Sequence, residues 1–220
     1  MWKKILSIFT SFYIPILLLS LILMNSQKVE LISSLSQAEE RAAIDKKNFL
    51  AGLFNHLVTN THYWSSIEYP EYFNPANQHS EFIRPYLEII NGISIYDQFR
   101  FIDLEGLEML RYQREVGNKM AFAPLQNKNK QGYVQQSLGL KRNQIYLSKI
   151  DLNKENGEIE KPHKPVIRVV GPIFDSLDRK IGLVVINYRM KPILDQLKEQ
   201  IAEGNFYLVD SELRIITSNT

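Results

Sequence analysis

The uncharged run near the N-terminus constrains the fold of this chain more than any other feature. Ile5 to Met24 contains no Asp, Glu, Lys or Arg, and about 20 apolar residues are what a helix needs to cross a bilayer. Lys3 and Lys4 precede the run, so the positive-inside rule places residues 1–4 in the cytoplasm and the remainder of the chain outside. We predict a transmembrane helix over residues 5–24.

A cleaved signal peptide is the alternative interpretation of this run. The run is long for a signal peptide, however, and no Ala-x-Ala cleavage site follows it. Pro15 lies in the middle of the span, which membrane helices tolerate better than soluble helices do. A retained anchor is therefore the preferred interpretation, and the lipid bilayer is the first expected partner.

The composition beyond the anchor is that of a globular protein. The chain has 220 residues, of which 45% are hydrophobic and 23% charged, so it has room for one domain or for one domain and part of another. Its formal net charge of +2 gives no support for a nucleic-acid partner. It contains no cysteine, which excludes disulfides, thiolate metal sites and cysteine nucleophiles.

A long helix is predicted after the anchor, over residues 25–62. Val29 to Asn60 contains no proline and a single glycine, and its apolar residues recur at steps of four and three. They are Leu31, Leu35, Ala38, Ala42, Phe49 and Leu53. This stripe has two interpretations that the sequence leaves open. It forms a stalk that pairs with a second copy in a homodimer, or it packs on the protein's own sheet.

Two strand pairs are predicted in the region of residues 63–190. The first runs from Ile93 to Tyr112 around a turn at Asp103 to Gly106, and the second from Val166 to Tyr188 around Asp175 to Asp178. An aromatic loop is expected over Tyr63 to Pro75.

Three shorter helices are predicted around these strands. One begins near Ser80 and ends at Asn91-Gly92, with Pro85 inside it. A short one covers Gly132 to Leu140, and the last runs from Lys191 to about Glu203. Helices alternate with strand pairs, so the sequence predicts an α+β fold, an antiparallel sheet flanked by helices.

The end of the chain echoes the first strand pair. Phe206 to Thr217 repeats the pattern of Phe99 to Leu110, in which an apolar strand ends in Asp and an acidic turn leads to a second strand. A lone hairpin is marginally stable. We therefore interpret residues 191–220 as a linker helix and the truncated start of a second, similar module.

The segment between Gln144 and Pro165 is the candidate cover of a small-molecule pocket. It is rich in charged and amide side chains and ends in prolines, and it connects a short strand to the second strand pair. The candidate ligand-binding residues in and near it are Arg111, Tyr133, Tyr146, Ser148, Asp151, Lys164 and Arg168. Hydroxyls and charges on rigid elements are typical of binding pockets.

Arg168 is the most informative of these candidates, because a guanidinium in an apolar strand is costly unless it is paired. It holds either a ligand carboxylate or phosphate, or it holds Asp151 or Glu160 and pins the loop. Pinning is the preferred alternative. Arg100, between Phe99 and Phe101, is expected to face solvent.

Catalytic and metal sites are not expected. The histidines His56, His62, His79 and His163 lack metal-type spacing. Asp151 to Gly157 superficially resembles a calcium loop, but its glycine falls one place late. We expect no cofactor and no enzyme activity in this chain.

The pattern resembles the double-Cache (PDC-like) sensor regions of bacterial sensor histidine kinases and GGDEF-type diguanylate cyclases. The matching residues are Tyr96 to Asp103, Gly106, Glu108, Tyr146 to Ser148, Asp151 to Asn153, Glu155 to Glu160, Pro162, Lys164 to Arg168, Pro172, Phe174-Asp175, Gly182 and Asn187. One departure is that the Tyr, Arg and Trp-Tyr signature of amino-acid-binding Cache receptors does not appear, so the resemblance does not imply an amino-acid ligand.

The resemblance implies a periplasmic or otherwise extracytoplasmic sensor in the bacterial inner membrane. Residues 63–190 would be the membrane-distal sensor domain, and an unknown small molecule would be its ligand. The kinase or cyclase output domain would lie outside this chain. A membrane-anchored protein-interaction module without a small ligand is the alternative, and an extracytoplasmic hydrolase is less favoured.

Overall fold

The computed structural model describes residues 2–69, 84–115, 117–155, 157–199 and 205–219. The chain divides into two compact units, Met1–Gly52 and Leu53–Thr220. Within the described residues the elements follow the predicted α+β order, with a long apolar helix first and an antiparallel sheet with flanking helices after it.

The first helix, α1 (Trp2–Ser66), runs through both the predicted anchor and the predicted stalk without a break. It is long and apolar enough to cross a membrane, by length and composition. The predicted stalk end at residue 62 is four residues short. The helix continues because Trp64 is buried in the core, and the hydroxyl of Tyr69 then donates a hydrogen bond to the Trp64 carbonyl (2.8 Å). That bond satisfies one of the free carbonyls at the helix end.

The described part of the second unit, Leu53–Thr220, is built on one antiparallel sheet in the strand order β3-β2-β1-β9-β8-β4, with β5 also paired to β8. The strands are β1 (Tyr96–Ile102), β2 (Glu108–Arg114), β3 (Met120–Phe122), β4 (Tyr146–Leu147), β5 (Asp151–Leu152), β8 (Pro165–Phe174) and β9 (Lys180–Arg189). A separate ribbon pairs β6 (Lys154–Glu155) with β7 (Glu158–Ile159). Both predicted strand pairs are confirmed, as β1-β2 and β8-β9.

Strands β3 and β5 to β7 were not predicted from the sequence. Each is two or three residues long, which is too short to show an alternating apolar pattern. They are placed by pairing with longer strands, as Asp151 is with Val166, or by pairing with each other. The loop that was expected to be irregular therefore carries its own small ribbon.

The helices other than α1 are α2 (Arg84–Gly92), α3 (Gly132–Ser137) and α4 (Lys191–Glu199). Of these, α3 is shorter than the predicted Gly132 to Leu140, while the predicted end of the last helix near Glu203 lies outside the described residues. The predicted helix start near Ser80 and most of the predicted aromatic loop, from Pro70 on, lie outside the described residues, and Pro85 occupies the first described turn of α2. Tyr63 and Trp64, which were assigned to that loop, belong to α1.

One face of the sheet packs on the C-terminal end of α1 through aromatic side chains. The Trp64 ring lies 4.9 Å from that of Phe99, edge to face, and its Nε1 donates to the Tyr96 hydroxyl (3.1 Å). The Tyr188 hydroxyl pairs with Thr61 (2.9 Å). Gly171 allows this close approach, because a Cβ there would lie 2.6 Å from Cβ of Ser65.

The opposite face of the sheet is apolar at one end and polar at the other. The apolar end joins Ile102, Val170, Leu183 and Val185 to Tyr133 and Val134 of α3. The polar end carries Gln98, Arg100, Arg111, Arg168 and Asn187, all of them buried. We call this second set the polar face.

The last described element is a hairpin of β10 (Tyr207–Val209) and β11 (Ile215–Ser218). It matches the predicted strand pair at the end of the chain. Asp210 closes its turn, because its Oδ1 accepts hydrogen bonds from the backbone N–H of Glu212 (2.8 Å) and Arg214 (3.0 Å).

Candidate ligand-binding site

A cleft of about 710 Å³ opens between α3, the loop after β4, α4 and the β10-β11 hairpin. This volume is in the range of small-molecule sites. Its lining residues are Gln131, Gly132, Tyr133, Gln136, Tyr146, Ser148, Lys149, Ile150, Asp151, Leu152, Lys154, Pro165, Arg168, Leu194, Asp210, Arg214, Ile215 and Ile216.

The structure brings five of the seven predicted site residues together in this cleft. Tyr133 comes from α3, Tyr146 from β4, Ser148 and Asp151 from the segment after β4, and Arg168 from β8. They meet because β4 and β5 both pair with β8, which places the intervening segment beside Arg168. Their assignment as ligand contacts stays a prediction.

Arg168 is held at the floor of the cleft with few partners. Its residue is 8% exposed, and its guanidinium carbon lies 5.3 Å from the centroid of the Tyr133 ring. Its Nη2 is 3.4 Å from Oδ1 of Asn153, which makes a long hydrogen bond. Burial, and then the nearby Arg100, lower the pKa of this guanidinium.

We predicted that Arg168 holds Asp151 or Glu160 and so pins the loop. That prediction is wrong. Among the described residues Arg168 forms no ion pair, and Glu160 instead pairs with Lys164 (2.5 Å). Asp151 is exposed, with its Oδ1 accepting the backbone N–H of Leu152. The reason lies in the ribbon β6-β7, which turns Glu160 toward Asn153 rather than toward β8.

Arg111 lies outside the cleft, and both of its Nη atoms have partners, while its buried Nε has no hydrogen bond among the described residues. Its Nη2 donates to Oε2 of Glu155 (2.6 Å) and to Gln113 (2.5 Å), and its Nη1 donates to the Pro124 carbonyl (3.0 Å). The loop ribbon β6-β7 reaches over the sheet to supply the Glu155 carboxylate. Glu155 of the same chain thus supplies the anion that Arg111 binds.

Glu155 is the central acceptor of the polar face. Besides Arg111 it accepts from the side-chain nitrogens of Gln98 (2.6 Å), Asn153 (2.8 Å) and Gln126 (3.0 Å). Burial by itself raises the pKa of this carboxyl, but Arg111 and the three amides outweigh burial and bring the pKa to about 2. Glu155 is therefore ionised at any physiological pH.

Lys164, the other predicted residue outside the cleft, also has partners in the chain. Its Nζ is 2.5 Å from Glu160 and 3.9 Å from Asp97. Burial raises the pKa of Asp97, and the nearby Lys164 opposes that rise. Lys164 thus compensates charge at the base of the loop.

Arg100 does not face solvent, contrary to expectation. It is 1% exposed, and its guanidinium donates to the Tyr133 hydroxyl (2.9 Å) and to Oδ1 of Asn187, with Glu108 at 3.4 Å. It is buried because β1 lies between β2 and β9 and both of its faces are covered. The flanking phenylalanines lie on the other face, Phe99 against Trp64 of α1 and Phe101 against Tyr69, and this alternation was a sign that the arginine points to the second face.

Sequence reasoning also missed the amides that join the loop to the sheet. Nδ2 of Asn187 donates to Gln98 (3.0 Å) and to Oδ1 of Asn153 (3.1 Å), and Asn153 is the residue that also reaches Arg168. An Asn inside the apolar strand Ile181 to Tyr188 was the available signal, because a buried amide needs partners.

The β10-β11 hairpin forms the outer wall of the cleft, and its own charges are paired. Arg214 lies 2.6 Å from Asp210, and Glu212 forms an ion pair with Lys149 of the loop. In each pair at least one of the two side chains is more than half exposed. The hairpin thus contacts the loop that covers the cleft, without an unpaired charge of its own among the described residues.

A family model for bacterial histidine kinase sensor domains matches residues 68–200. That is more than half of the chain. The chain belongs to this family of bacterial histidine kinase sensor domains. The predicted resemblance to sensor regions of histidine kinases is confirmed, and the region matched holds the sheet, the polar face and most of the cleft.

Solved structures with the same fold are sensory domains as well. A domain of a sensory box/GGDEF family protein from Vibrio parahaemolyticus is 20% identical with a TM-score of 0.53, covering 71% of this chain and 62% of that one. The ligand-binding domain of the Campylobacter jejuni chemoreceptor Tlp3, in complex with L-valine, is 10% identical with a TM-score of 0.55, covering 79% and 65%. No curated protein sequence matches this histidine kinase sensor domain.

The extracellular domain of a protein described as a histidine kinase gives a similar result. It is 20% identical with a TM-score of 0.52, and the match covers 71% of this chain and 59% of that domain. This chain thus spans about three fifths of the length of these solved sensor domains. At such identities the likeness establishes the fold alone, an α+β fold that resembles that of Cache sensor domains.

Proposed function

We propose that this sensor domain is the extracytoplasmic ligand-sensing region of a membrane-bound bacterial signal-transduction receptor, in which small-molecule binding is coupled to transmembrane signalling. The observation that carries the proposal is the cleft of about 710 Å³, with a buried arginine at its floor. The residues proposed to contact the ligand are Tyr133, Tyr146, Ser148, Asp151 and Arg168.

The membrane anchor in this proposal is residues 5–24 of α1. The uncharged run is long enough to span a bilayer, and Lys3 and Lys4 orient its N-terminus to the cytoplasm. Residues 63–190 then form the sensor domain outside the membrane, and residues 191–220 lead into a second module of the same kind.

A homodimer through the stalk is the proposed partner arrangement. Leu31 and Leu35 belong to the stripe of apolar residues at steps of four and three, and they are 59% and 52% exposed in the single chain. A second copy of the same helix would cover them by coiled-coil packing. Signals from the sensor domain would then pass along a pair of helices.

The coupling from cleft to stalk would run through β8. Successive side chains of a strand point to opposite faces, so Arg168 faces the cleft while Ile167 and Val169 face α1. Gly171 of the same strand is in close contact with Ser65 of α1. A ligand that moves β8 would therefore move the end of α1, by an amount set by its differential affinity for the two states.

A two-part experiment on the full chain in lipid nanodiscs tests this proposal. A panel of carboxylic acids, phosphate esters, sugars, amines and amides is screened for a rise in the unfolding temperature, read from Trp64 fluorescence. Because the chain has no native cysteine, a Gln37→Cys variant then carries a single spin label on the stalk, and the distance between labels in the dimer is measured with and without the stabilising compound.

We expect a stabilising compound to lose its effect in Tyr146→Ala and to change the distance between the stalk labels. If no compound class stabilises the chain, or if a stabilising compound leaves the stalk unchanged, the sensing proposal fails. The interaction-module alternative would then be favoured, with a protein partner in place of the small ligand.

A further inference from the structure

The cleft contains a buried cation, Arg168, on which the carboxylates of Asp151 and Glu155 act only from beyond ion-pair distance. The guanidinium of Arg168 is buried and forms no ion pair among the described residues, and its only hydrogen-bond acceptor there is the neutral oxygen of Asn153 at 3.4 Å. A buried charge without a counter-ion is costly. Such a group is stabilised by whatever anion reaches it.

The buried charges around Arg168 do not compensate it. Among the described residues, the polar face and its margin hold the buried cations Arg100, Arg111, Lys128 and Arg168. The carboxylates that pair with these cations are Glu108 and Glu155, while Asp97 and Glu160 lie near Lys164. Both pairing carboxylates already lie against other arginines, Glu108 near Arg100 and Glu155 against Arg111. Burial, and after it the charge of Arg100, lower the pKa of the nearby Lys128 to about 8.

The walls of the cleft have the same sign. Four cations line it, Lys149, Lys154, Arg168 and Arg214. Lys149 pairs with Glu212, and Arg214 pairs with Asp210, so Lys154 and Arg168 are the lining cations without an ion pair among the described residues. Asp151 is exposed at the rim. A negatively charged group entering the cleft therefore meets a net attraction that increases toward its floor.

From these observations we infer that the ligand of the cleft carries an oxyanion, a carboxylate or a phosphate, that binds Arg168. This inference rests on the proposed function and names the class of ligand for the same site. The guanidinium fork can bind either group through two parallel hydrogen bonds. The ring of Tyr133 orients the fork from one side (5.3 Å), and Tyr146 and Leu194 offer the body of the ligand an apolar surface.

The test uses pairs of probes in which one member carries the anionic group and the other has a neutral amide or hydroxyl in its place. Benzoate is compared with benzamide, glycerol 3-phosphate with glycerol, and further acid–amide and phosphate–alcohol pairs extend the set. Each probe is titrated into the full chain in nanodiscs of zwitterionic lipid, and binding is measured by calorimetry and by the unfolding temperature. The two kinds of pair separate a carboxylate ligand from a phosphate ligand.

Arg168→Gln is the decisive variant, and Arg142→Gln is its matched control. Arg142 is a half-exposed arginine that pairs with Asp178 away from the cleft. We expect at least one anion to bind while its neutral partner does not, and Arg168→Gln to weaken that binding about tenfold to a hundredfold. Arg142→Gln should leave it unchanged. If Arg168→Gln does not fold, Arg168→Lys keeps the charge but loses the fork, and it should weaken binding about tenfold.

The possible failures are distinguishable. If neutral or cationic probes bind and Tyr146→Ala abolishes their binding, while no anion depends on Arg168, the inference about the ligand class is overturned and the sensing proposal stands. Anions that bind equally well to the Arg168 variants also overturn it. If no probe of any charge binds, the sensing proposal fails together with the inference.

Discussion

Two arginines on the same face of the sheet, Arg111 and Arg168, have opposite surroundings. Arg111 on β2 meets the Glu155 carboxylate at 2.6 Å, a glutamine and a backbone carbonyl. In the part of the chain that the structure describes, Arg168 on β8 meets an aromatic ring and a neutral amide oxygen at 3.4 Å, and no carboxylate within ion-pair distance. Both are buried. Glu155 supplies the anion for Arg111, whereas Arg168 forms no ion pair with any described residue.

The loop between β5 and β8 creates this difference. Its ribbon β6-β7 extends over β1 and β2 and inserts Glu155 between Arg111 and Gln98. On the other side the same loop presents only Asn153 to Arg168. The loop is therefore a structural element over the half of the polar face that holds Arg111. Over the half that holds Arg168 it forms the rim of the cleft.

The largest effect is expected from removing the Glu155 carboxylate, which lies on the half of the polar face that holds Arg111. Glu155→Gln removes the carboxylate that Arg111 binds at 2.6 Å and leaves it, among the described residues, only Glu108 at 4.0 Å, so we expect the free energy of unfolding to fall by about 3 kcal/mol. Denaturant titration of the full chain in detergent micelles, followed by Trp64 fluorescence, measures it. Glu158→Gln is the matched control, because Glu158 is an exposed residue of the same ribbon and should change stability by less than about 0.5 kcal/mol.

The pH dependence of stability also tests the contribution of the Glu155 carboxylate. The pKa of Glu155 is about 2 in the folded protein, below its ordinary value, so this carboxylate stabilises the fold above about pH 5 and loses its contribution as the pH falls toward 2. The stability difference between the wild-type chain and Glu155→Gln should therefore shrink by about 2 kcal/mol over that range. A difference that stays constant with pH would show that charge pairing is not what Glu155 provides.

The smallest effect is expected at the rim of the cleft, where the loop meets the β10-β11 hairpin. Lys149 and Glu212 join the loop to the β10-β11 hairpin through side chains that are 57% and 54% exposed. An exposed pair of this kind contributes little, so Lys149→Ala should alter the free energy of unfolding by less than about 0.5 kcal/mol. A loss of more than 1 kcal/mol would mean that the rim of the cleft is as fixed as the Glu155 side.

Local patterns predicted the parts of this molecule that depend on neighbours in sequence. The hairpins β1-β2 and β8-β9 were predicted from β-branched runs separated by turn residues, and the cleft residues Tyr133, Tyr146, Ser148, Asp151 and Arg168 from hydroxyls and charges around one loop. Residue Gly106, at φ +86° in the first turn, is of the type that such a turn needs.

The polar face could not be predicted in the same way. Glu155 lies 57 positions from Gln98 and 44 from Arg111, so their contact depends on strand order, which local pattern does not determine. The environment of Arg100 follows from the cover on both sides of β1, and that cover is again a property of the whole sheet. The loop was recognised as unusual, but which of its carboxylates meets which arginine depended on the ribbon β6-β7.

The most direct test of the difference between the two arginines is their removal one at a time from the ligand-free protein. Unfolding free energies of Arg111→Gln and Arg168→Gln are measured side by side by denaturant titration in detergent micelles. We predict a loss of about 3 kcal/mol for Arg111→Gln, which leaves Glu155 buried without its partner, and a change of less than about 1 kcal/mol for Arg168→Gln, which removes a charge that has no counter-ion. Equal and large losses in both variants would contradict the account, because Arg168 would then be a structural arginine like Arg111.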